Sequence, residues 1–250
     1  MFSEERRTKI LEKIRDQGRV LAKDLAKQFN VSVDSIRRDL SIMEEDGLLQ
    51  RTHGGAIPIK RVREMPQPPA NRYGEGSEEQ NAIAREAVKY IEEDQTVFIG
   101  GAAIHFVLLK YLPTHIHFSV LTNSVEIAYH LRGMDNVTTY LIGGLVKSSG
   151  NITDALANQF AGQFSVDVSF ATAGNITFNG LSTATPEVSV IHQTIINRSK
   201  KVIGIVDHEK FGTDMFSHMC PLSELDLIIT DHETPHDKVK DFEVEVLVVP

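Results

Sequence analysis

Four of the nine prolines, Pro58, Pro66, Pro68 and Pro69, fall within twelve residues, and Gly74 and Gly76 follow shortly after. Proline fixes φ and has no backbone N–H to donate, so neither a helix nor a central strand runs through this stretch. It reads as a linker over residues 60–76, leaving a head at 1–59 and a body at 77–250. The charge divides near the same place. Residues 1–63 hold 14 Lys+Arg against 10 Asp+Glu, a net of +4, whereas residues 64–250 hold 12 against 24, a net of −12. A basic head on an acidic body points to a small polyanion-binding module joined to a domain with a different task.

Hydrophobic residues make up 41% of the chain and charged residues 24%, which supplies a large core and excludes a disordered polypeptide. No apolar run approaches the ~18–20 residues of a membrane span. Met1 to Arg7 is charged and lacks the apolar stretch of a signal peptide, so a cytoplasmic location is expected. The single cysteine, Cys220, allows neither an internal disulfide nor a cysteine metal cage, and is expected to be a small buried hydrophobe.

The head reads as three helices and a hairpin. Residues 4–16 place Ile10, Leu11 and Ile14 at helical spacing, and Gly18 ends the pattern. A second helix over about 21–29 turns Leu25, Ala26 and Phe29 inward. Asn30-Val31-Ser32 makes the turn, with Ser32 as N-cap of a third helix from Val33 to Asp46. Val33, Ile36, Leu40 and Met43 are spaced three, four and three, one inward stripe. Ser35, Arg37, Arg38 and Ser41 fall largely outside it, and Gly47 suits the position after the helix. Two short apolar segments around His53-Gly54-Gly55 then read as a β-hairpin, glycine supplying positive φ. This is a winged helix-turn-helix with its core at about 20–39. An α-helix fits the ~12 Å major groove of duplex DNA, where arginine bonds guanine bidentately. Ser32, Ser35, Arg37 and Arg38 are expected to touch DNA, and Arg51 and His53 on the wing to reach phosphate or the minor groove. Asp39 repels phosphate and is assigned to orienting an arginine or to a structural contact.

Residues 31–56, V-S-V-D-S-I-R-R-D-L-S-I-M-E-E-D-G-L-L-Q-R-T-H-G-G-A, closely resemble the N-terminal signature of the DeoR family of bacterial transcription regulators, and a looser resemblance continues through the body. The resemblance implies a DNA-binding head and a C-terminal sensor, usually for a phosphorylated sugar or sugar derivative. It also implies repression of carbohydrate uptake or catabolism, relieved by the ligand. The sensor fold it implies is Rossmann-like, resembling phosphosugar isomerases and CoA-transferases.

The body supports an α/β reading from its own pattern. Strands are expected at Thr96–Ile99, Phe118–Leu121, Val137–Ile142, Val166–Ala171, Lys201–Val206, Leu227–Thr230 and Val244–Val249, with helices between several of them. That alternation predicts a mainly parallel sheet covered by helices. Val137–Ile142 and Lys201–Val206 read as central strands buried on both faces. Small and polar residues follow each strand, among them Gly100-Gly101, Thr122-Asn123, Gly143-Gly144 and Asp207-His208, so a ligand crevice is expected outside the carboxyl ends. Lys210 adds a cation. The resemblance carries over Asp207 and Lys210 from V-D-H-E-K-F-G, Thr122 and Asn123 from L-T-N-S, Gly144 from the Gly-Gly pair, and Glu187 from T-P-E. The first loop departs from the family's D-S-G-T-T: here it is G-G-A-A-I, without those hydroxyls. The backbone N–H groups of Gly100, Gly101, Ala102 and Ala103 are left to cradle an anion. The effector set is completed by Lys147.

Glu187, Asp207 and Lys210 would also serve an isomerase, with the head used for oligomerisation. Passive binding of a sugar phosphate needs the same groups, and a DNA-binding head makes catalysis needless, so no catalytic residue is expected. His115-Ile116-His117 has no third ligand in view, and neither a metal nor a cofactor is expected. The expected partners are double-stranded operator DNA and a small-molecule effector. Symmetric half-sites imply a homodimer or homotetramer.

Overall fold

A computed structural model of the chain describes residues 3–58 and 73–250. The chain forms two compact units, residues 1–61 and 62–250. Pro66, Pro68, Pro69 and most of the expected linker lie outside the described residues.

The first unit runs α1 (Ser3–Gln17), β1 (Val20–Leu21), α2 (Ala22–Phe29), α3 (Val33–Glu45), β2 (Gln50–Thr52) and β3 (Gly55–Ile57). Asn30 ends α2 with φ 52°, a left-handed position that asparagine tolerates. Ser32 then opens α3, its hydroxyl accepting from the Ser35 N–H at 3.1 Å. Ile10, Ile14, Leu25, Ile36, Leu40, Met43 and Leu49 fill the space between the helices. The hairpin gains a third strand, because β1 pairs antiparallel with β3. Gly55 is therefore required for a reason other than its φ, which is not left-handed. A Cβ there would overlap the Val20 carbonyl of the neighbouring strand.

The second unit is a seven-stranded parallel sheet. Its strands are β4 (Thr96–Ile99), β5 (Phe118–Thr122), β6 (Val137–Leu141), β7 (Val166–Ala171), β10 (Ser199–Ile205), β12 (Leu227–Asp231) and β13 (Val246–Val249), in spatial order β13-β12-β10-β7-β4-β5-β6. Alternate β4 residues face opposite ways. Val97 and Ile99 join the core under α4 (Glu78–Ala87), α5 (Ala103–Leu108) and α6 (Val125–Leu131). Phe98 joins the core under α7 (Ala155–Ala161) and α8 (Pro186–Ile196). The chain starts at β4 and winds outward first through β5 and β6, then through β7, β10, β12 and β13. The order reverses between β4 and β7, the position at which doubly wound sheets open a crevice.

Two sequence expectations need correction. Lys201–Val206 matches a central strand, but Val137–Leu141 is the sheet edge, and Tyr140 and Leu141 are exposed. Thr138 and Thr139 break its apolar run, and strand order is set by partners distant in sequence. A second, antiparallel sheet of β8 (Asn175–Thr177), β9 (Gly180–Thr183) and β11 (Ser217–Cys220) was not anticipated. Its strands are short and largely polar, without the alternation that marks a strand. A last short helix, α9 (His236–Val239), precedes β13. Cys220 is buried in β11, and burial pushes its thiol up to about 12.

Candidate functional site

On α3 the apolar stripe faces the core, which leaves Asp34, Arg37, Arg38 and Ser41 along the outward side. Arg37 pairs with Asp34 at 3.2 Å across one helical turn, and both groups are well exposed. Arg38 is exposed, and no ion pair joins it to a described residue. Ser32 is the N-cap, and its hydroxyl also meets that of Ser35 at 2.9 Å. Arg51 crosses from the wing: its N–H donates to Glu44 at 2.8 Å and its Nη1 donates to Ser41 at 2.5 Å. Wing and helix are thus joined through Arg51, with Arg37 and Arg38 exposed on the same helix. His53 is exposed at the hairpin tip. Asp39 lies on the buried side, where Arg6 donates to it at 2.6 Å and Arg7 approaches at 3.5 Å. It ties α1 to α3 and takes no part in the outward surface.

In the second unit the residues after β4 pack at the reversal point. His105, fully buried on α5, accepts from the Ala102 N–H through Nδ1 at 3.3 Å and bonds the Phe170 carbonyl of β7 through Nε2 at 2.8 Å. With Nδ1 accepting, Nε2 carries the proton, so a neutral imidazole staples the β4 loop to β7. This corrects the expectation that every N–H from Gly100 to Ala103 is offered to an anion: that of Ala102 is already engaged. His192 of α8 lies on the other side of Gly100, 3.4 Å from where a Cβ would stand. Its ring meets the edge of Phe98 at 5.9 Å, and burial pushes it down to about 4, so it is neutral near pH 7.

Gly101 is held by its carbonyl, which accepts from Asn151 at 3.3 Å and from the Tyr73 hydroxyl at 3.0 Å. A Cβ on Gly101 would overlap the Asn151 amide. Tyr73 also stacks on Phe106 at 4.7 Å, so this part of the expected linker is fixed to the second unit. Thr122 and Asn123 are buried beside this loop. The Asn123 side chain donates to the Ile152 carbonyl at 3.1 Å. Both asparagine amides are thereby oriented, and their Oδ1 atoms are buried without a partner. Thr153, Thr185 and Asp207 each leave a buried oxygen in the same state. Asp207 follows β10, about 10 Å from β4 by two strand spacings, and its other oxygen accepts from Gln80 at 3.1 Å. Buried polar atoms without partners cost about 1–3 kcal/mol each, so a group of them near the carboxyl ends of the strands calls for an explanation.

Other expected effector residues are placed elsewhere or less centrally. Gly144, with φ 145°, lines a depression of about 330 Å³ against Leu156 and Phe160. Lys147 is half-buried in a turn and helps hold the Asp154 carboxyl low, after the hydrogen bonds from the Ala157 and Leu145 N–H groups. Glu187 is exposed in the first turn of α8. Lys210 is half-buried three residues after Asp207. Sequence reasoning missed His105, His192, Asn151 and Gln80. A histidine inside the apolar run I-H-F-V-L was the available signal for the first. Among the described residues no group of three His, Cys, Asp or Glu side chains is placed to hold a metal, and no helix is long and apolar enough to cross a membrane.

Two family models cover most of the chain. Residues 6–62 match the DeoR-like helix-turn-helix domain, and residues 75–232 match the DeoR C terminal sensor domain. The chain belongs to the DeoR family. Among its DeoR relatives, the transcriptional repressor GlcR of Bacillus subtilis is 30% identical over 92% of this chain and 89% of its own length. The glycerol-3-phosphate regulon repressor of Escherichia coli is 30% identical over 94% and 93%. Ribose 5-phosphate isomerase A of Methanocaldococcus jannaschii matches 53% of each chain with a TM-score of 0.40 and 12% identity, a partial likeness on which nothing further rests.

Proposed function

We propose that this DeoR protein is a sequence-specific repressor of a carbohydrate uptake or catabolism operon, released from its operator by a sugar or sugar phosphate. The observation that carries the reading is the outward surface of α3, where Ser35, Arg37 and Arg38 are presented beside a wing whose Arg51 is bonded to Ser41. Arginines at the exposed face of a helix of this width suit base edges and phosphates of the major groove. The relatives named as repressors support the same reading. In the crevice, the unpartnered oxygens of Asn123, Asn151 and Asp207 suit donation from sugar hydroxyls, with Lys210 as the nearby cation for an anionic substituent. Ligand release of DNA requires different affinity for the two states of the protein.

A mobility shift on the region upstream of its own operon tests the first half. Folded protein that fails to retard this DNA at low salt overturns the proposal. A thermal-shift screen of sugars and sugar phosphates tests the second, since a ligand at 100 times its Kd adds about 2.7 kcal/mol. An isomerase would need Glu187 to meet Asp207. Glu187 is exposed on α8, while Asp207 is buried and bonded to Gln80. Binding without turnover is the function proposed.

A further inference from the structure

The outward face of α3 begins with a residue whose charge is wrong for DNA. Asp34, Arg37, Arg38 and Ser41 stand at i, i+3, i+4 and i+7, a single face of the helix. Any approach that brings Arg37 to base edges therefore brings Asp34 with it. The Asp34 side chain is 88% exposed and that of Arg37 61%, and the two are 3.2 Å apart. An ion pair so open to water adds little to the stability of a helix. The cap is already supplied by Ser32, which accepts from the Ser35 N–H. A carboxylate in the first turn suits the positive end of the helix, but that role is indifferent to which base lies opposite.

The chemistry of the major groove limits what this carboxylate can meet. Phosphate oxygens repel it, and so do the acceptors guanine N7 and O6 and thymine O4. The donors on base edges are the amino groups of cytosine and adenine. Adenine sets its N7 acceptor beside the amino group, where it opposes the second carboxylate oxygen, whereas cytosine presents its N4 amino group alone. Cytosine is therefore the base that fits. Asp34 is the second residue of α3, in the N-terminal part that helix-turn-helix proteins turn toward the bases. Its bond to Arg37 uses Nη1, and the Nε–Nη2 edge keeps two donors for guanine O6 and N7. Residues three apart on a helix have Cβ atoms about 5–6 Å from one another, and base pairs stack about every 3.4 Å. The two side chains thus reach base pairs one or two steps apart.

We infer that Asp34 determines operator specificity: its carboxylate accepts from the N4 amino group of a cytosine one or two base pairs from the guanine read by Arg37. It also turns away guanine and thymine at that position, so part of the preference comes from repulsion. This rests on the repressor reading for the docking of α3 in the major groove, and the test separates the two.

The test is selection of duplexes from a randomised library by the full chain, comparing wild type with Asp34→Ala, Asp34→Asn and Arg37→Ala. Both side chains are well exposed, so the variants keep the fold, checked by circular dichroism. The wild type is expected to favour cytosine over guanine at one position on the order of 10-fold. Asp34→Ala is expected to lose that preference there alone, and to bind unrelated duplex DNA more tightly because a repelled charge has gone. Asp34→Asn is expected to turn the preference to adenine, which an asparagine amide bonds through N6 and N7. Arg37→Ala is expected to lose a guanine one or two base pairs away. A wild type that enriches no sequence removes the repressor reading and this inference with it. An enriched site that Asp34→Ala reproduces letter for letter overturns this inference alone. So does a loss spread evenly over all positions, and so does a guanine lost to Arg37→Ala more than two base pairs from the cytosine.

Discussion

Asp39→Asn is the sharpest perturbation of the head, because it changes a charge with almost no change in shape. In the wild type the carboxylate is 3% exposed and faces Arg6, itself 9% exposed, at 2.6 Å. Removing the charge leaves a guanidinium in the interior without its counter-ion. Breaking a buried pair in this way costs about 3–5 kcal/mol. Arg7, whose buried Nε faces the same carboxylate at 3.5 Å, loses its counter-charge as well, so the expected cost is about 3 kcal/mol or more. A unit of this size is stable by about 3–9 kcal/mol, so a third or more of its stability is removed. At about 4–8 °C per kcal/mol the melting point of the head falls by about 12–24 °C. The two units have separable signals: all five tyrosines lie at position 73 or beyond and tryptophan is absent. Calorimetry and far-ultraviolet circular dichroism see both units, while the tyrosine bands see only the sensor. The head transition is expected to drop while the tyrosine transition stays in place. A head transition within about 3 °C of wild type, or a tyrosine transition that falls with it, refutes the reasoning. The double change Arg6→Met with Asp39→Leu is expected to lose less than Asp39→Asn alone, since no buried charge is left behind.

Arg38→Ala is expected to cost about 1–3 kcal/mol of operator affinity at one base position if the residue reads a base edge. A uniform loss across sequences in a mobility-shift series, with a shallower salt slope, assigns it to phosphate instead. Gly55→Ala is expected to displace β1 from the wing and lower the head melting point, while Gly54→Ala, with nothing within 4 Å, stays near wild type in the same melt. His208 is a pH reporter for the strand-end edge. Burial opposes its charge, but Asp231 at 2.9 Å and Glu233 at 3.2 Å outweigh that, raising its pKa above the ordinary 6.5. Its stabilisation is therefore complete below 6.5 and lost as pH rises through the higher folded value. Melts of wild type and His208→Gln are expected to differ most at low pH and converge above that value; a gap that widens with pH contradicts the pairing.

What the sequence made legible was local. Ser32 as cap, Asn30 in the turn, Gly47 after α3 and the three-four-three stripe depend on neighbours a few residues away, and they landed within a residue or two. Gly55 was recognised for the wrong reason: its need comes from the Val20 backbone, 35 positions earlier, which no turn rule contains. The edge position of β6 was invisible because apolar content reports burial without saying by what. Asn123 and Asp207 stood out in the sequence because they follow strands, and both are buried there. His105 did not, because its partners are an N–H three residues back and a carbonyl 65 residues on, which only the register of β4 against β7 brings together.

Arg51 ties the wing to α3 twice, at Ser41 and at Glu44, which in the repressor reading sets the two against DNA as one calliper rather than as two independent fingers. A calliper measures a gap. One extra base pair between the steps touched by its two jaws would turn the second set of contacts away by about 35°, given 10–10.5 base pairs per turn. Operators for this protein should therefore tolerate letter changes between those points better than any change in their spacing, and cutting both bonds with Ser41→Ala and Glu44→Ala should relax that ruler before it erases the preferred bases.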